Sequence, residues 1–129
     1  MKIAVTYDRG NVGQHFGRTQ FFKVFTVEEG KLVKGELVPG GEHGHVAKAQ
    51  FVKDHAIAVI ICGGIGQPAV AGVKAAGAEV YPGVTGSVDQ AVQDFIAGQL
   101  KFNMDAIHAP HGEHHHHEWW SPISFWEIP

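Results

Sequence analysis

AIAVIICGGIGQ, residues 56–67, is the stretch on which the fold turns. Its first seven residues form an unbroken apolar run. A strand with one wet face alternates in polarity, so an unbroken run marks a strand covered on both faces, as in parallel sheets. The run stops at glycines, and GGIGQPAVAGVKAAG (63–77) then enters a helix with Pro68 near its first position, where a missing N–H costs nothing. A buried strand, a glycine turn and a helix in that order make the centre of an open α/β sheet.

Working outward, KIAVTY (2–7) alternates Ile3, Val5 and Tyr7 against Ala4 and Thr6, which predicts a strand ending at the turn-rich DRGNVGQHFGRT (8–19). FFKVFTV (21–27) and KLVKGELV (31–38) are dense in aromatic and β-branched residues and predict an antiparallel hairpin. HVAKAQFVKD (45–54) predicts a helix, with Val46, Ala49 and Val52 or Lys53 on a helical period, and AEVYP (78–82) a short strand. SVDQAVQDFIAGQL (87–100) predicts a helix with an apolar stripe from Val88 to Leu100 and a capping box of Ser87 with Gln90.

The order βββαβαβα fits a three-layer α/β/α domain with a five-stranded mixed sheet. Right-handed crossovers give the strand order 3-2-1-4-5, with strand 2 antiparallel. Four loops, 8–19, 39–45, 62–67 and 82–86, then emerge at one edge, where open α/β sheets gather ligand sites. That edge collects His15, His43, His45 and Cys62. The domain spans 1–102, leaving a histidine-rich and aromatic tail, 103–129.

Composition limits the partners. Lys and Arg number 10 against 13 Asp and Glu, a formal charge of −3 over 129 residues, so no broad basic face is available for nucleic acid. No stretch approaches the roughly 20 apolar residues of a membrane span, the first residues lack the apolar run of a signal peptide, and one cysteine makes no internal disulfide. A soluble, cytoplasmic protein is expected.

Three loop motifs carry chemistry, each beside a plainer reading. QHFG (14–17) sets an imidazole among glycines where it can face a ligand, or His15 bonds a carbonyl while Phe16 plugs the core. EHGH (42–45) offers two imidazoles suited to Zn, Cu, Ni or Fe, or a helix start and a solvated side chain. CGGIGQ (62–67) offers backbone N–H groups and a helix dipole to an anion, with Cys62 either a thiolate ligand or a buried small hydrophobe. It lacks the spacing and the Lys-Ser/Thr pair of a P-loop. No Ser/His/Asp set stands out, so no enzymatic activity is expected.

Taken together, MKIAVTYD at the start, HFGR (15–18), the hairpin, GEHGH (41–45), VIICGGIGQPA (59–69) and GSVDQAVQDFIAGQL (86–100) make a chain that resembles the dinitrogenase iron-molybdenum cofactor biosynthesis family, which includes NifX-type carriers and the C-terminal domain of NifB-type proteins. The likeness runs in order over about residues 1–102. It implies a ribonuclease-H-like domain and a non-enzymatic carrier or scaffold for a metal-sulfur cluster, iron-sulfur or an iron-molybdenum precursor, exchanged with a metallocluster donor or acceptor protein. Position by position, it implies a cofactor-binding role for His15, Phe16 and Gly17, for the His43–His45 segment, and for Gly63, Gly64 and Gly66. The sequence departs in its single thiol, which cannot supply the four cysteines of an ordinary iron-sulfur cluster.

The tail holds His108, His111, His114, His115, His116 and His117, a tract suited to Zn or Ni. A second function class follows from it: a metal-ion binding or storage protein acting through the tail. A phosphate-ligand-binding enzyme using the glycine turn is the least favoured. Trp119, Trp120, Ile123, Phe125, Trp126 and Ile128 supply an apolar anchor through which a homodimer is expected.

Overall fold

The computed structural model describes residues 1–108. In chain order the elements are β1 (Lys2–Asp8), β2 (Asn11–Val12), β3 (Phe21–Glu28), β4 (Lys31–Pro39), α1 (His45–Asp54), β5 (Ile57–Ile61), β6 (Ile65–Gly66), α2 (Gln67–Ala75), β7 (Glu79–Tyr81), α3 (Val88–Ile96) and β8 (Ile107–His108). One mixed sheet runs β4-β3-β1-β5-β7. Antiparallel pairings join β1 to β3 and β3 to β4; parallel ones join β1 to β5 and β5 to β7. The sheet has six strands where five were expected, because the chain after β1 folds back on it and pairs Tyr7 with Val12. A second, two-stranded sheet joins β6 to β8.

The central strands bury both faces. Ala4, Phe22, Val24 and Ile60 pack with Phe51, Val52, Val70 and Val73 of α1 and α2. Their alternates Ile3, Val5, Val59 and Ile61 pack with Val88, Ala91 and Val92 of α3. Period-two alternation along each strand thus feeds two cores, which is why the β5 sequence shows no polar gap. Phe22 lies between Phe51, stacked at 4.5 Å, and Phe16, edge-on at 5.9 Å.

Local chemistry explains the boundaries. The β3–β4 hairpin closes on Glu29 and Gly30, both at positive φ, the two-residue geometry whose twist matches paired strands. α3 starts where Ser87 Oγ accepts from the Gln90 N–H at 3.2 Å, but the Gln90 side chain donates to Asp94 instead, so the capping box is half made. The helix ends at Ile96, just before Gly98 at positive φ, the glycine that marks its end in the sequence. α1 buries Lys48, Phe51 and Val52, while Val46, on one helical period with Ala49 in the sequence, is exposed. No described helix is long and apolar enough to cross a membrane.

Candidate functional site

Backbone hydrogen bonds hold the loops at the carboxyl ends of β1, β5 and β7 together. Gly63 N–H donates to Gly13 O at 3.0 Å, Gly64 N–H to Gln14 O at 2.8 Å, and Phe16 N–H returns to Gly64 O at 3.0 Å. His15 and Gly64 form an isolated parallel bridge. The 82–86 loop joins through Gly83 N–H to Gly63 O and Val84 N–H to Cys62 O, and the Gln14 side chain donates to Val12 O and Val84 O. These contacts require bare backbone: a Cβ at Gly63 would sit 2.6 Å from Gln14 Cα, and one at Gly64 2.7 Å from His108 Nε2. The glycines are therefore needed for close packing, and the Gly63 and Gly64 amides are already spent on the His15 loop. The expectation that both stand open to an anion is corrected accordingly.

The 39–45 loop is tied in by a residue that the sequence reading missed. Lys48 is fully buried, and its ammonium donates to Thr19 O at 2.9 Å, Gly40 O at 2.9 Å and Glu42 O at 3.0 Å. Each of its three donors meets one carbonyl, so a buried charge is satisfied by backbone dipoles from two loops. Burial lowers its pKa below the ordinary lysine value. Gly44 N–H also donates to Gly17 O at 3.1 Å. The available signal was spacing: Phe51 and Val52 are the i+3 and i+4 neighbours of Lys48 on one helix face.

Above this framework, a groove of about 600 Å³ is lined by Tyr7, Asp8, Arg9, Gly13, Gln14, His15 and Arg18, among others. His15, Arg9 and Arg18 among them are exposed, and Arg9 Nε lies 3.3 Å from the Asp8 carboxylate. The two arginines were not singled out in the sequence; their signal was position, bracketing the loop as DRG and FGR.

The other expected site residues scatter. Phe16 is buried in the core, and Gly17 is half-buried in the short 3-10 turn Phe16–Arg18. Gly66 caps the start of α2. His43 is exposed beside Gly44, and His45 lines a separate cleft between α1 and α2 with Ala49, Lys53 and Gly72. Cys62 is completely buried, and burial pushes its thiol up to about 12, so it presents no thiolate at neutral pH. Among the described residues no group of three or more His, Cys, Asp and Glu side chains could hold a metal ion. His15, His45 and Cys62 thus lie in three different surroundings: the groove, the α1–α2 cleft and the core. His108, assigned to the tail, is exposed on β8, its imidazole against Gly64. His111 and His114–His117, and the aromatic anchor after them, lie outside the described residues.

The family model described as dinitrogenase iron-molybdenum cofactor matches residues 1–98. The chain is 30% identical over 106 residues to the uncharacterized protein MJ0580 of Methanocaldococcus jannaschii, covering 78% of this chain and 90% of that protein. The crystal structure of PH0822 is similar with a TM-score of 0.75 and 29% identity, over 82% of this chain and 97% of the other. The apo form of the orange protein from Desulfovibrio gigas is similar with a TM-score of 0.68 and 31% identity, over 80% and 92%.

Proposed function

Because the chain belongs to the dinitrogenase iron-molybdenum cofactor family, we propose that it is a non-enzymatic carrier or scaffold whose cargo is an anionic metal-sulfur cluster, received in the groove beside the His15 loop. The observation that carries this reading is an open groove of about 600 Å³ with a hydrogen-bonded base, whose lining includes three exposed residues of suitable chemistry, His15, Arg9 and Arg18. That volume lies in the range of small-ligand pockets.

The roles follow from the side-chain chemistry. The His15 imidazole offers a ring nitrogen to a cluster metal. Arg18 and Arg9 offer planar arrays of N–H donors to sulfide, offsetting the cluster's negative charge, with Asp8 tempering the charge of Arg9. Cys62 has no part as a ligand. A single imidazole with peripheral hydrogen bonds, in a groove open to solvent, suits cargo that must be passed on to a metallocluster donor or acceptor protein.

Anaerobic reconstitution with ferrous iron and sulfide, followed by desalting, a visible spectrum and metal analysis, tests the reading. The expected result is a charge-transfer band retained by the native protein and by Cys62→Ala, lost in His15→Ala and weakened in Arg18→Ala. A band abolished by Cys62→Ala and untouched by His15→Ala contradicts it.

A further inference from the structure

The outermost strand of the sheet, β4, carries a surface that the groove does not use. Among the described residues only β3 pairs with it, and its other edge, along nine residues, meets no other strand. Leu32, Val33 and Leu37 are three of the seven exposed large hydrophobic residues among the described residues, and all three lie on β4. A long, exposed, apolar edge is a template for another strand.

The sequence of that edge is complementary to itself. About a two-fold axis through Gly35, the segment Val33-Lys34-Gly35-Glu36-Leu37 reads apolar, basic, glycine, acidic, apolar. Antiparallel pairing of two copies sets Lys34 against the partner's Glu36, and Val33 against the partner's Leu37, each twice. Within one chain Lys34 Nζ and Glu36 Oε1 are 3.9 Å apart and both side chains are more than half exposed, so each is free to turn to the partner.

Backbone parity fits the same axis. Gly40 N–H donates to Gln20 O, and β3–β4 pairing is regular from Phe21↔Pro39 to Thr26↔Lys34. Antiparallel alternation therefore turns the N–H and C=O groups of residues 36 and 38 towards β3 and those of Gly35 and Leu37 outward. Gly35 is itself imposed by the Phe25 ring, which a Cβ would meet at 2.9 Å, and a bare backbone lets two strands cross closely at the axis.

We propose that β4 is a self-association edge: two copies pair antiparallel through residues 33–37, joining their sheets into one. This rests on the charge and backbone pattern of β4 and is independent of the cargo groove.

Sedimentation equilibrium of the full chain, up to about 1 mM so that a weak contact is populated, tests it with Lys34→Glu and Glu36→Lys. Both positions are exposed, and circular dichroism checks that each variant is folded. The native chain is expected to reach twice its chain mass. Each variant alone, facing like charge across the axis, stays monomeric, and an equimolar mixture of the two recovers the dimer because both cross-axis pairs become complementary. A monomeric native chain, a dimer that persists in both single variants, as association through the tail's tryptophans gives, or no recovery on mixing overturns the proposal.

Discussion

A methyl group added at Gly63 or at Gly17 meets opposite surroundings. At Gly63 it lands within 2.7 Å of three Gln14 atoms, backbone included; at Gly17 nothing lies within 4 Å. Gly63→Ala should cost about 1–3 kcal/mol in urea unfolding, as overpacking does, whereas Gly17→Ala should stay within about 0.5 kcal/mol. Both glycines were visible in the sequence as parts of one functional edge. Sequence could not separate them, because the reason for Gly63 is another loop 50 residues away. Cys62 teaches the same lesson, since an apolar strand end reads equally as a ligand position or a core position. Iodoacetamide should leave it unmodified in the folded protein and alkylate it in denaturant, read by mass spectrometry. Its titration also has a sign: below about pH 9 it leaves stability unchanged, and stability falls from there towards pH 12, where the unfolded chain has released a proton that the folded chain keeps.

The elements were legible where one period governs them. β1, β3, β4 and β5 follow their alternation or their apolar run, and α3 follows its stripe and its Ser87 cap. α1 was found but its buried face was not, because that face carries a lysine and an exposed position carries Val46. Lys48→Met keeps much of the stem's volume and removes the charge, leaving the carbonyls of Thr19, Gly40 and Glu42 without their donor. The expected loss is about 3 kcal/mol, with faster amide hydrogen exchange concentrated in residues 17–19 and 40–44. Segment 103–108 was read as the start of the tail, yet Asn103 N–H donates to Pro82 O and β8 pairs with β6. Its contact needs Gly83, at φ 73° with a Cβ position 2.8 Å from Asn103. Gly83→Ala should therefore speed amide exchange at 103–108 while leaving β1 and β5 protected.

At the scale of the molecule, an α/β domain with three helices and a mixed sheet was readable because strand and helix periods switch cleanly along the chain. The groove was readable only in part. Strand directions bring the His15 loop to the sheet edge, but which side chains line the edge depends on packing: His45 turns to the α1–α2 cleft, Cys62 sinks into the core, and Arg9 and Arg18 come forward. Cargo binding in the groove beside His15, Arg9 and Arg18 is measured most directly by a titration of the uniformly ¹⁵N-labelled full chain with tetrathiomolybdate, a soluble molybdenum-sulfur anion, followed amide by amide. Saturable shifts should concentrate at residues 7–9 and 13–19 and vanish in His15→Ala. Shifts confined to the α1–α2 cleft or to residues 109–117, or none at all, would contradict it.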